Sequence, residues 1–542
     1  MTVRTPRLER ATLLDLLALA VLLLLAAALR FTDLSTRGPW DADQGHDMLV
    51  LFRFVSEGDW PLLGPPTSIG NFHHGALYYD LLAPAAWLGG SDPAIVTGAI
   101  ALSGTAAVGL VWWIARAVAG PAGGRIAGFV AGLVAALSAS AISESTFIWN
   151  PNLIAFSGAL TIAAGWRAWT TGRARWWLLA ALGQAITMHS HVLGIVFLVP
   201  VAALLVADAR RRPPGSRRAL AGVGLGALAI LLASYLPLVA HELGHDFAET
   251  RALIAWLSGP GAPVALDPIS RLLFVGLRIV AWPLTGLLTD ALGPGTVASL
   301  GVLVALGWRL RAAAGPERDF VRWLAFSLLW SWLALGLGVA GLATVTPLPV
   351  DHYHAFLDPL VFLLVGLGTA AAWEIRPRPD LPPGRTAGPA AAAVAPTAAL
   401  ARTLTPARTL TPARMFVLVA LGALLAWNVG HWPPAVAPDG GYPAAARAGA
   451  RIEASAGPDP VAFVSLPEFK TAEAYLFPLV RDGHAIGEPA TATTLVVVCD
   501  ALFITDCGGP AEDPVAAAAG LGRLVDRFVA APGRTISIYR RG

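Results

Sequence analysis

Three aspartates, Asp41, Asp43 and Asp47, crowd the stretch Trp40-Asp41-Ala42-Asp43-Gln44-Gly45-His46-Asp47. In a helix starting near Ala42, positions 43 and 47 are four apart and share a face. A carboxylate held that way can take the proton of a weak hydroxyl nucleophile, which contributes about 10²–10⁴-fold to a rate. The same residues have a plainer use: Asp41 or Asp43 can cap the helix, a side-chain oxygen accepting a free backbone N–H. The run Gly70-Asn71-Phe72-His73-His74-Gly75-Ala76-Leu77-Tyr78-Tyr79 adds His73, His74, Tyr78 and Tyr79 as polar groups for binding. Further along come Trp149 and Asn150, then His189 with His191, and His352 with Tyr353 and His354. Trp149-Asn150-Pro151-Asn152 also reads as a helix start, with Asn150 capping and Pro151 at the first helical position.

His241-Glu242-Leu243-Gly244-His245 matches the His-Glu-x-x-His zinc pattern, two ligands at i, i+4 with a glutamate base. It falls at the end of an apolar segment, and no third ligand follows at a matching spacing. A metalloprotease is therefore the enzymatic rival to the reading developed below. Nothing in the sequence requires a cofactor; a divalent metal ion is compatible with the acidic run, and its ligands are unknown.

These polar clusters need a scaffold, and the composition says what kind. The chain has 542 residues, 56% hydrophobic and only 13% charged, with mean hydropathy +0.62. Soluble domains carry about 25% charged residues. Apolar runs of about 20 residues recur, each enough to cross a bilayer core as a helix; a membrane barrel shows short alternating segments instead. The fold class expected is an all-α polytopic membrane protein of about eleven transmembrane helices with a small C-terminal α/β extracytoplasmic domain. A net charge of +3 gives no reason to expect nucleic acid as a partner.

The spans fall near 12–31, 93–119, 125–142, 152–170, 176–189, 190–208, 219–240, 295–310, 323–343, 354–375 and 415–430. The first lacks a cleavage site and reads as a retained signal anchor. Arg116 and Arg125, Arg173 and Arg175, and Arg210 to Arg212 with Arg217 and Arg218 mark one side as cytoplasmic. The acidic loop and His73, His74, His189, His191, His241, His245, His352 and His354 then share the opposite side. Segment 75–90 reads as an interfacial helix. Segment 269–289, with Arg271, Arg278 and Pro283, reads as a helix lying on the outer surface or dipping in and returning, because spanning would move later arginines outside.

Domain boundaries follow: a membrane module at 1–375 with its outer loop at 32–90, a disordered cytoplasmic linker at 376–414, a last span at 415–430 and an outer α/β domain at 431–542. The linker is rich in Pro, Ala, Thr and Arg and repeats Ala-Arg-Thr-Leu-Thr-Pro. In the last domain, 461–466, 494–498 and 534–539 read as strands, and 468–481 and 514–530 as helices. Cys499 and Cys507 are close enough in sequence to close a disulfide, or they are two free thiols. The one lysine of the chain, Lys470, lies in this domain. Anions elsewhere must meet Arg, His or backbone N–H, and the acidic run has few cations near it in sequence.

Asp43 in the first outer loop, Gly58-Asp59-Trp60-Pro61-Leu62-Leu63-Gly64-Pro65-Pro66, His74-Gly75-Ala76-Leu77-Tyr78-Tyr79-Asp80, Trp149-Asn150-Pro151-Asn152-Leu153, Thr187-Met188-His189-Ser190-His191 and Asp351-His352-Tyr353-His354 together resemble a known family. It is the C superfamily of glycosyltransferases (GT-C), of the protein O-mannosyltransferase type (family 39), close to the bacterial aminoarabinose and lipopolysaccharide-core transferases. The resemblance covers about residues 10–375 and leaves out the linker and the last domain. It implies a polyprenyl-phosphate-linked sugar as donor, a lipid, glycan or protein hydroxyl as acceptor, and inversion at the sugar carbon. It also implies a place in the bacterial cytoplasmic membrane with the site on the extracytoplasmic face, and an outer-loop acid as general base. The family shows Glu or Asp after its catalytic Asp where this chain has Gln44, so Asp43 and Asp41 compete, with Asp43 favoured. Asp47, the outer histidines, Tyr78, Tyr79, Trp149, Asn150 and Tyr353 would line the donor and acceptor sites, and Arg251, Arg271 and Arg278 would meet the lipid phosphate. The alternative is a multi-pass transporter or flippase of lipid-linked saccharides. Transporters gather charge and broken helices near the bilayer midplane and often carry internal repeats, whereas here polarity collects at one surface and no halves repeat.

Overall fold

The structure, a computed structural model, describes residues 10–67, 72–259, 266–338, 353–373, 411–468 and 470–541. The chain opens with α1 (Arg10–Arg30), then α2 (Ala42–Phe52), the short hairpin β1 (Leu63–Pro66) and β2 (His73–Gly75), and α3 (Leu77–Leu88). The helical bundle continues with α4 (Pro93–Val118), α5 (Gly120–Leu137), α6 (Ala139–Ser143), α7 (Ile154–Thr171), α8 (Trp176–Ser190), α9 (Ile195–Arg211) and α10 (Pro214–Ser234). After α11 (Leu236–Gly244) and α12 (Ala248–Ser258) come α13 (Pro268–Thr285), α14 (Leu292–Ala312), α15 (Gly315–Leu333), α16 (Asp358–Ala371) and α17 (Pro412–Gly430). Each apolar segment expected to span is mainly helical over its described residues, with breaks at Ser138 and Tyr235 in two of them. Proline sits in the first turn of α4, α10, α13 and α17, where its missing N–H leaves no bond unmade, and Asp92, Asp267 and Thr411 cap three of these helices.

Among the described residues seven helices are long and apolar enough to cross a membrane: 12–30, 93–118, 192–211, 214–234, 268–285, 315–337 and 412–430. Gly123–Leu137 and Ala355–Ala371 are shorter apolar helices. Leucines, valines and phenylalanines project outward from α1, α10 and α17, among them Leu24, Leu225, Leu232 and Phe416. So much outward-facing apolar surface suits a hydrocarbon surrounding rather than water. Arg30, fully buried, donates to the carbonyls of Ala135 and Ala136, tying α1 to the end of α5.

Helix α13, expected at the outer surface, is long and apolar enough to span, and Arg271 ties it to a neighbouring helix end. Near its start Arg271 donates to the Gly336 carbonyl beyond α15, and Trp332 donates to the Leu272 carbonyl. Near its end the carbonyls of Trp282 and Pro283 accept from Ser140 and Ser138, just past α5. Both ends therefore meet helix ends that the arginine pattern assigns to the outer side. Length and composition alone also allow α13 to span; the contacts fit a helix lying at that surface.

The C-terminal unit has α18 (Gly441–Ala456), β3 (Val461–Leu466), α19 (Glu473–Arg481), β4 (Thr494–Asp500), α20 (Glu512–Ala518), β5 (Arg523–Ala531) and β6 (Arg534–Arg540). The sheet order is β3-β4-β6-β5, with β3 parallel to β4 and the other pairs antiparallel. The expected strands are present. The helix expected at 514–530 is not: it is the short α20 followed by edge strand β5. The Gly520-Leu521-Gly522 break ends the helix, and Pro532-Gly533 turns β5 back onto β6, with Gly533 at φ 76°. The helix expected from 468 begins only at Glu473, and α18 has no counterpart among the elements read from sequence. Cys499 and Cys507 are joined in a disulfide. The linker expected at 376–414 lies almost wholly outside the described residues, and 412–414 already belong to α17.

This domain is not an appendage on a tether. One apolar core contains Trp40, Met48 and Leu51 with Tyr78 and Tyr79 from the membrane module, and Ile452, Phe477, Ile536 and Ile538 from the domain. Trp40 packs edge-on against Tyr442 at 4.7 Å, and its indole N–H donates to the Ala474 carbonyl at 2.8 Å. At Gly45 the helices approach so closely that a Cβ would lie 2.3 Å from the Glu473 carbonyl.

Candidate active site

The three aspartates of the outer loop have three different surroundings. Asp41 is the N-cap of α2: its Oδ1 accepts the Ala42 N–H at 2.7 Å, and the Gln44 side chain returns to the Asp41 N–H at 2.9 Å. Its Oδ2 is held by Lys470 Nζ at 2.7 Å and by Arg534 at 2.6 Å. Loss of hydration works against its ionised form, but Arg534 and Lys470 outweigh that and hold its pKa below the ordinary value. The expectation that no lysine stands near these carboxylates is thus corrected. The single lysine returns to them from 429 residues along the chain.

Asp47 is 1% exposed and lies beneath the loop. The hydroxyls of Tyr78 and Tyr79 donate to its two oxygens at 2.9 and 2.8 Å. Burial pushes its pKa up to about 7 against His46 and the two tyrosines. It is a buried brace between α2 and α3.

Asp43 differs from both. It stands in the first turn of α2, exposed to solvent, in a recess dense enough that lost hydration raises its pKa. Lys470 and His46 oppose that shift; Asp41 and Glu473 add to it. His46 bonds Glu473 Oε1 through Nδ1 at 3.0 Å. Burial disfavours its charged form, but the Glu473 bond and the nearby carboxylates prevail and raise its pKa. Asp43 therefore combines access with a pKa moved toward neutrality, as a general base requires.

An arc of polar side chains runs from the α2–α3 junction through β2 to the end of α8 and the start of α16. Tyr78 and Tyr79 follow β2, which carries His73 and His74. The His73 backbone N–H donates to Glu249 at 2.6 Å, and its ring Nδ1 lies 3.1 Å from the same carboxylate. His74 is buried, which pushes its pKa down to about 3, and its ring lies 5.3 Å from that of His191. His191 stacks on Tyr353 at 4.2 Å, and Tyr353 lies 5.9 Å from Trp149. Arg278, on α13, is buried, its guanidinium 5.5 Å from the Phe274 ring centroid. His189 bonds Ser234 at 2.9 Å and lies over Tyr235, while Asn150 donates to the Ser190 carbonyl at 2.7 Å. These contacts bring Asp47, Tyr78 and Tyr79 together one turn along α2 from Asp43, and His74, His191, Tyr353 and Trp149 into a second group, with β2 and the start of α3 joining the two. Arg271 gives its Nε–H to a backbone carbonyl, and Arg251 stands exposed on α12. His352 lies outside the described residues.

The His-Glu-x-x-His segment serves the backbone. Glu242 accepts the N–H groups of Glu249 and Thr250 at 2.8 and 3.1 Å, capping α12, and the rings of His241 and His245 stack on each other at 3.9 Å. Among the described residues no three His, Cys, Asp or Glu side chains come together as a metal site. Sequence reasoning missed Lys470, Glu473 and His46 beside Asp43, and Arg534 beside Asp41. Only the uniqueness of Lys470 hinted at any of them.

No family model matches the chain, and no curated protein matches it. Solved structures do. ArnT from Cupriavidus metallidurans in the apo state aligns over 98% of both chains at TM-score 0.58 and 14% identity. The same protein bound to undecaprenyl phosphate aligns over 97% of this chain and 98% of that one, at TM-score 0.57 and 13% identity. The chain has the GT-C fold. The GT-C likeness extends through the C-terminal domain, beyond the 10–375 that the sequence resemblance covers. An oligosaccharyltransferase from Archaeoglobus fulgidus aligns at TM-score 0.45 and 12% identity, over 88% of this chain and 65% of that one.

Proposed function

We propose that this GT-C protein is an inverting membrane glycosyltransferase. It moves a sugar from a polyprenyl phosphate to an acceptor hydroxyl on the extracytoplasmic side, with Asp43 as general base. The observation that carries the reading is that Asp43 alone of the three loop aspartates is both accessible and outside any ion pair or hydrogen bond described above, on a fold aligned end to end with ArnT in its undecaprenyl phosphate complex. The acceptor hydroxyl loses its proton to Asp43 as its oxygen bonds the anomeric carbon. The bond from that carbon to the lipid phosphate oxygen breaks, and the lipid phosphate leaves as an anion. Donors aimed at that anion lower the barrier, and the Arg278 guanidinium has the right chemistry. A single displacement from the face opposite the phosphate inverts the carbon.

The test is release of radiolabelled sugar from polyprenyl phosphate donors by purified protein in detergent. Asp43→Asn is expected to keep donor binding and lose at least about 10²-fold in turnover. Wild-type protein that neither binds nor turns over any such donor would overturn the reading.

A further inference from the structure

Four groups from the membrane module and two from the C-terminal domain interact electrostatically with Asp43: Asp41 at the cap of α2, His46 and Asp47 within it, Tyr78 on α3, and Lys470 with Glu473. Lys470 is the only cation among them whose charge does not depend on a histidine. Its ammonium sits on Asp41 Oδ2 at 2.7 Å, sharing that oxygen with Arg534. Two cations on one carboxylate keep Asp41 ionised and fixed as the cap, and so settle which loop aspartate stays unpaired. Glu473, three residues on, fixes His46 from the same side, and the absence of a Cβ at Gly45 lets α19 come this close.

We infer that the C-terminal α/β domain is a working part of the catalytic centre, with Lys470 as a positioning residue that clamps Asp41 and leaves Asp43 free and aligned as the base. The inference rests on the glycosyltransferase reading for its catalytic meaning, though the clamp itself can be tested without turnover. Lys470 forms no bond with substrate in this account. It acts through the loop, by geometry and by a positive field that keeps Asp43 ionised.

The experiment uses the full-length protein in detergent, with Lys470→Met, Lys470→Gln and Lys470→Arg beside wild type. Lys470→Gln keeps a hydrogen-bond donor for Asp41 without the charge and covers the case that the methionine variant does not fold. Arg451→Gln breaks the exposed Arg451–Asp526 pair of the same domain and serves as control. Carbodiimide labelling of Asp43 across pH, read by mass spectrometry, reports its protonation directly. Loss of the nearby cation is expected to move the labelling midpoint up by about one unit, with Lys470→Arg returning it and Arg451→Gln leaving it in place. The acid limb of the pH–rate profile should move by the same amount and direction, since only ionised Asp43 accepts a proton. An unmoved midpoint in both uncharged variants overturns the inference, and so does a moved midpoint with an unmoved rate profile. Failure of wild type to use any polyprenyl-phosphate sugar sinks the glycosyltransferase reading instead, and the labelling still decides whether Lys470 sets Asp43.

Discussion

At the scale of single residues, three carboxylates a few positions apart have separate fates because each meets different partners. Asp41→Asn keeps a capping oxygen but gives up both cations, so a stability loss of about 1–3 kcal/mol is expected, read as a lower unfolding temperature, with a smaller drop in turnover than Asp43→Asn shows. Asp47 makes a pH prediction with a definite sign. Its pKa near 7 in the folded protein stands above the ordinary aspartate value of about 4. Between those values the folded state holds a proton that the unfolded chain has released, so stability falls as pH rises through that window. Replacing Asp47 by Asn removes this slope. The variant's unfolding temperature, compared with wild type, should therefore be more favourable at pH 8 than at pH 5. A constant difference across pH would show that Asp47 ionises normally. The sequence displayed these aspartates and their helical spacing. It could not display the sorting among them, because Lys470 and Arg534 arrive from a distant part of the chain.

Secondary-structure elements were readable in proportion to how far local pattern alone decides them. Apolar length fixed the bundle helices, since a segment of about 20 apolar residues has few other stable options in a bilayer. The strands at 461–466, 494–500 and 534–540 were legible from β-branched runs. Strand β5 was not: Arg523-Leu-Val-Asp-Arg-Phe-Val-Ala-Ala has charges at helical spacing, and its pairing with β6 overrides that local preference. The same scale holds the contact of α2 with α19. Gly45→Ala puts a methyl against the Glu473 backbone, where neither helix can yield through a side chain. Overpacking of this kind costs about 1–3 kcal/mol. The variant should let protease into the α2–α19 junction sooner than wild type while the bundle stays intact. Equal cleavage rates would mean that the two helices separate freely.

For the whole molecule, the arginine pattern predicts one orientation, with the arc of candidate site residues on the extracytoplasmic side. This can be checked in a background where Cys499 and Cys507 are serine. A cysteine at Asp59 should react with a membrane-impermeant maleimide in intact cells, and a cysteine at Arg173 should react only after the membrane is opened. The reverse pattern would invert the topology and place the candidate site on the cytoplasmic face. What the sequence hid at this scale was the docking of the last domain. Its helices and strands are individually ordinary, and the shared core with Trp40, Tyr78 and Tyr79 involves residues that look like loop and interface positions when read alone.

The contact between Trp40 and Arg534 joins residues 494 positions apart. A ribosome feeding this chain into a membrane delivers the acidic loop early and its clamp hundreds of residues later. Until the later part has crossed, folded and oxidised its cysteines, Asp41 has neither of its cations and Asp43 has competition for its role. Growing chains would therefore carry an unclamped acidic loop until residues 470 and 534 have both emerged and folded back onto it.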